Sequence, residues 1–115
     1  MFSYFLKNKI HRATLNFVKL DYEGSITIGG KLLKASGLTP FERVDVLNIN
    51  NGERLTTYVI KGSEDGNEIG LNGAAARKGC PGDKVIICSY AGVSVESESP
   101  PVPVIIQIRD TNNSF

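Results

Sequence analysis

Asn50-Asn51-Gly52 separates two β-prone runs, Val44-Asp45-Val46-Leu47-Asn48-Ile49 and Leu55-Thr56-Thr57-Tyr58-Val59-Ile60. Asn-Gly favours the positive φ angles of a tight hairpin, so these runs read as two antiparallel strands. The pattern recurs along the chain. Asp65-Gly66 marks a second hairpin, and Pro81-Gly82-Asp83 turns into Lys84-Val85-Ile86-Ile87-Cys88, whose continuous apolar stretch suits a strand buried on both faces. Short strands punctuated this often point to a mainly β barrel or sandwich. Only Gly30 to Ser36, ended by Gly37, reads as a clear helix, and Ala74-Ala75-Ala76 reads as a second short turn of helix. The segment from Ser94 to Pro103 reads as loose, Val104 to Ile108 as a returning strand, and Asp110 to Phe115 as frayed.

A chain of 115 residues is one domain by length, 1–115, with enough buried surface to need no metal or disulfide. Thirteen basic residues against twelve acidic ones give a net charge of +1, too weak a field for a nucleic acid or an acidic membrane. Cys80 and Cys88 fit no disulfide framework and read as small apolar side chains in or near the core of a protein kept reduced. Met1 to Leu6 is interrupted downstream by Lys7, Lys9 and Arg12, which leaves it too short for a signal-peptide core or a membrane span. The expected location is the cytoplasm. An echo between Pro40-Phe41-Glu42-Arg43-Val44-Asp45-Val46 and Pro81-Gly82-Asp83-Lys84-Val85-Ile86-Ile87 suggests two related halves, and equally suits two ordinary turn-to-strand starts.

Conventional chemistries fail one after another. A nucleophile elbow needs glycine two positions either side of its serine, and Glu23 and Thr27 flank Ser25 instead. A single His without a Cys/His cluster argues against zinc. Gly29-Gly30-Lys31 has too few glycines for a phosphate loop. Another chemistry is open to Gly24-Ser25. A serine hydroxyl can attack the preceding carbonyl, turning amide into ester, and β-elimination from that ester breaks the chain and leaves a dehydroalanine, which water hydrolyses to a pyruvoyl group with release of ammonia. Glycine before the serine tolerates unusual angles and leaves its carbonyl open. A backbone ketone of this kind forms a Schiff base with an amine and accepts the electrons of decarboxylation. Most Gly-Ser pairs are inert turns, and an intact turn in a small binding barrel stays a competing reading.

Five blocks carry a more specific signal: Lys9-Ile10-His11-Arg12-Ala13, Asp21-Tyr22-Glu23-Gly24-Ser25, Asn51-Gly52-Glu53-Arg54-Leu55-Thr56-Thr57-Tyr58, Asn72-Gly73-Ala74-Ala75-Ala76 and Gly82-Asp83-Lys84-Val85-Ile86-Ile87. In this order the chain resembles the bacterial aspartate 1-decarboxylases, pyruvoyl enzymes that make β-alanine for pantothenate synthesis. The resemblance runs to about Tyr90 and implies a double-psi β-barrel with one or two short helices. It also implies a homotetramer with sites at subunit interfaces, and admits a maturation factor that assists processing.

Roles follow from the same resemblance. Scission between Gly24 and Ser25 would give chains 1–24 and 25–115, with Ser25 the precursor of the pyruvoyl cofactor. Thr57 would hydrogen-bond the attacked carbonyl, and Tyr58 would return a proton to the carbanion. Gly73, Ala74 and Ala75 would offer backbone N–H groups to a carboxylate of L-aspartate. Arg54 and Lys9 would hold its carboxylates, while His11, Tyr22 and Asn72 would support the site. Regular alternation places Arg54 and Tyr58 on one face and Thr57 on the other. A bulge, or contributions from different subunits, would bring them together. An enzyme of the same architecture acting on another amino acid would differ in how Arg54 and Lys9 meet it.

Overall fold

A computed structural model describes residues 1–115. Eight strands form one mixed sheet: β1 (Phe2–Thr14), β2 (Phe17–Lys19), β3 (Ser25–Ile28), β4 (Arg43–Asn48), β5 (Arg54–Lys61), β6 (Ile69–Asn72), β7 (Lys84–Ser94) and β8 (Val104–Gln107). They lie in the order β2-β6-β3-β5-β4-β7-β1-β8 and wrap into a double-psi β-barrel. The pairs β3/β5, β1/β8 and β2/β6 are parallel and the others antiparallel. Ile10, Ile26, Val44, Val46, Val59, Leu71, Val85 and Ile87 point inward and build the core, each no more than 1% exposed. No helix is long and apolar enough to cross a membrane.

The helix α1 (Gly30–Ser36) buries Leu32 and Leu33. It stops at Gly37, whose φ of 81° is left-handed and whose N–H bonds Leu33 O at 2.9 Å. A short 3-10 helix spans Gly73–Lys78, longer than the three alanines suggested. The β4–β5 hairpin forms where Asn-Gly indicates, with Leu47 opposite Arg54. Its turn differs in detail, since only Gly52 has a positive φ, 75°. Asn48 does the remaining work: its Oδ1 accepts the N–H of Asn50 at 2.9 Å and its carbonyl accepts Gly52 N at 2.9 Å.

Four expectations need correction. Asp65-Gly66 makes a turn, closed by Gly66 N to Ser63 O at 3.1 Å, but no hairpin, because β3 lies between β5 and β6. Turn residues mark reversals without saying which strands then pair. The Lys84–Cys88 stretch is not buried evenly on both faces: Val85 and Ile87 enter the core, while Ile86 is half-buried on the other side. Cys80 is exposed; Cys88 alone is buried. Nor is the C-terminus frayed. Asn113, at φ 58° and 0% exposed, accepts Thr14 N at 2.7 Å, and its Nδ2 lies 3.0 Å from Thr14 O, Asn16 Oδ1 and Asn67 O. A side chain satisfied on every side holds a tail that its polar composition would otherwise release. The two echoed segments become the paired neighbours β4 and β7, with Val44, Val46, Val85 and Ile87 in the core.

Candidate active site

Ser25 opens β3 directly opposite Asn72, the last residue of β6. Both are buried, at 0% and 1% exposure. Ser25 Oγ donates to Glu23 O at 3.0 Å and accepts Asn72 Nδ2 at 3.1 Å. The hydroxyl is thus turned back along its own chain, over the Gly24 peptide. The same Asn72 amide donates to Thr27 Oγ1 at 2.8 Å, a partner that the sequence did not single out. Two acceptors fix the amide rotamer and so fix the Ser25 oxygen.

Glycine is demanded at an unexpected place. A β-carbon on Gly24 would meet nothing within 4 Å, and Gly24 is absent from the positive-φ glycines, so neither space nor a left-handed angle requires glycine there. Gly73 has φ 64°, and a β-carbon on it would come within 2.6 Å of both Tyr22 O and Gly24 N. The constraint on the bend before Ser25 therefore comes from the β6 end packed against it.

An open cleft lies beside this bend, lined by Gly24, Leu55, Thr56, Thr57, Tyr58, Ala74, Ala75 and Lys78. It exists because β3 pairs with β5 only from Val59 onward, which leaves the first half of β5 without a neighbour on that edge. Leu55 packs on the core and Val59 belongs to it, so Thr57 shares their side, and Tyr58 faces the other way. Both nevertheless border the cleft from the open edge, without a bulge in the β4–β5 register. The Tyr58 ring stacks on Phe41, with centroids 6.2 Å apart. Phe41 is 77% exposed at φ 70°, an unusual angle for a bulky residue and one that the sequence does not reveal.

Lys9 and His11 do not reach this cleft within one chain. A row crosses the sheet from Thr56 on β5 through Asp45 and Cys88 to Lys9 on β1. Three strand spacings separate its ends, roughly 14 Å. Thr56 Oγ1 donates to Asp45 Oδ1 at 2.7 Å. Burial pushes the Cys88 thiol up, with the Lys9 charge opposing it, and burial also raises the nearby Tyr90 phenol. His11 pairs with Gln107, and its buried Nδ1 has no hydrogen-bond partner. Desolvation, then the charges of Lys9 and Arg12, hold its imidazole below the ordinary 6.5. Arg54 is exposed at the start of β5. Tyr22 is half exposed under the Lys19 ammonium, which sits 4.5 Å from the ring centre.

The sequence profile described as aspartate decarboxylase matches residues 1–115. The chain belongs to the aspartate decarboxylase family. It is 50% identical over 110 residues to the aspartate 1-decarboxylase of Campylobacter hominis, covering 96% of this chain and 95% of that one. To the enzymes of the same name from Campylobacter fetus and Bdellovibrio bacteriovorus it is 51% identical over 107 residues, 93% of this chain and 92% and 85% of theirs.

Proposed function

We propose that the chain cuts itself between Gly24 and Ser25 and then converts L-aspartate to β-alanine and carbon dioxide, in the cytoplasm, for pantothenate synthesis. The observation that carries this reading is the buried Ser25 hydroxyl, turned back on its own chain and held by Asn72. The residues fit the group they would form: Ser25, its precursor, is buried directly behind Gly24, which lines the cleft together with Thr57, Ala74 and Ala75, so scission after Gly24 would open the new ketone toward that space. Once formed, the pyruvoyl ketone supplies the electron sink that decarboxylation requires.

The chain's own residues do the rest. Thr57 lends a hydroxyl to the Gly24 carbonyl during scission, and the Asn72 amide keeps Ser25 Oγ from rotating away. The backbone of Gly73, Ala74 and Ala75 takes one substrate carboxylate, where small side chains allow close approach. Arg54 grips a carboxylate with its planar fork, and Tyr58 delivers the proton to the carbon that loses carbon dioxide. Lys9 and His11, remote within one chain, meet the cleft of a second copy in a homotetramer, and His11 and Tyr22 support the site. The open side of the cleft and the half-buried outer row around Asp45 favour that arrangement. A maturation factor is compatible with a bend as exposed as Asp21 to Gly24.

Intact-mass analysis tests the reading. Fragments of 1–24 and 25–115, with the second blocked by a pyruvoyl group, are expected, and Ser25→Ala should stay whole and inactive. A wild-type chain that remains uncut as a folded tetramer, with or without cell extract, defeats the proposal.

A further inference from the structure

The cleft has two walls: β5 with Thr57 and Tyr58, and the short helix with Ala74 and Ala75. No strand pairing joins them. They are tied at the carbonyl of Lys78, the last residue of the short helix, which accepts Asn48 Nδ2 at 3.1 Å and Asn51 Nδ2 at 2.9 Å. Carbonyls at a helix end lack partners within the helix, so side-chain donors there fix where the end sits. Asn51 also accepts Glu53 N at 2.9 Å, and Lys78 Nζ meets Glu53 Oε2 at 2.7 Å. Both ends of the Asn51 carboxamide are therefore engaged, one on the helix and one on the residue just before Arg54.

We propose that Asn51 is a positioning residue for the substrate: by clamping the Lys78 carbonyl to the start of β5, it sets the separation between β5 and the backbone of Ala74 and Ala75. The inference rests on the reading of Gly73 to Ala75 as a carboxylate-binding segment. Hydrogen bonds weaken steeply with misplacement, so a wider cleft holds a dicarboxylate less well. Asn48 shares the carbonyl but is 4% exposed and also donates to Asp83 Oδ2 at 2.9 Å, which makes it a support of the hairpin itself. Asn51 is exposed, so its replacement leaves the core intact.

Asn51→Asp keeps the shape and removes both N–H donors; Asn51→Ala removes the side chain without adding charge. With protein shown by mass to be fully cut, KM for aspartate should rise about fivefold in both, while kcat stays within about twofold. Succinate, which has both carboxylates and no amine, should bind about fivefold more weakly by calorimetry. A fall in kcat with KM and succinate affinity unchanged would show a merely structural role and overturn the clamp. Ala75→Val separates the two readings. If it leaves succinate affinity untouched, the carboxylate-binding segment is wrong. If it weakens binding while both Asn51 variants do not, the clamp alone is wrong.

Discussion

Gly73 and Gly24 lie backbone against backbone: a β-carbon on Gly73 would stand 2.6 Å from Gly24 N and 2.8 Å from Gly24 Cα. Gly73→Ala must therefore push the bend before Ser25 outward, and pays about 1 kcal/mol for the left-handed angle besides. Scission should slow by at least about tenfold, the rate equivalent of 1.4 kcal/mol. A denaturing gel followed over time reads it, and cutting at the wild-type rate would contradict the packing account.

Tyr58→Phe keeps the ring that stacks on Phe41 and loses only the hydroxyl. Scission should go to completion, while kcat for aspartate falls by about a hundredfold, as expected for a lost general acid. Equal losses in scission and turnover would assign Tyr58 to the fold instead.

His11 gives a clean pH experiment because it is the only histidine in the chain. Its folded pKa is lowered, by desolvation first and then by Lys9 and Arg12, so the unfolded chain binds the extra proton more readily. Stability from this group is full above the ordinary value of 6.5 and declines as pH falls through and below it. Thermal unfolding between pH 5 and 7 should show that decline in the wild type and a flatter profile in His11→Asn. Parallel profiles would exclude His11 as the source.

Asn113→Ala removes an acceptor for Thr14 N and a donor group set among Thr14 O, Asn16 Oδ1 and Asn67 O. Leaving buried backbone groups unpaired should cost at least about 2 kcal/mol, read from urea midpoints at unchanged slope. A midpoint shift within error would mean that the tail is not held by this residue.

Local chemistry made much of the fold readable. Gly37 could be placed as the end of α1 because a helix stop is decided within a few residues. Asn51-Gly52 located a hairpin for the same reason, although Asn48, three positions earlier, supplies the side-chain bonds that shape it. Asp65-Gly66 misled because strand partners are chosen by the whole sheet, and β3 had taken the place beside β5. Asn113 was unreadable: a polar tail reads as loose unless one knows that Thr14, Asn16 and Asn67 converge on it. At the site, Ser25 stands out from the chemistry open to a Gly-Ser bond and Asn72 only from a family pattern; neither reveals that the two pair. Glycine at 24 reads as tolerating unusual angles, yet the position where a side chain would clash is Gly73, since a residue's steric limits come from neighbours distant in sequence. Lys9 and His11 stay apart from the cleft because β4 and β7 intervene.

The pairing of Ser25 with Asn72 exists only after β3 and β6 have met, across 47 residues of sequence. A nascent chain carries the same Gly-Ser bond without the amide that steadies its hydroxyl or the Gly73 backbone that shapes the approach. Under the proposed chemistry, the peptide bond acts as an inspector of its own surroundings. Molecules that misassemble keep an inert amide, and only those that have reached the native barrel acquire the means to react.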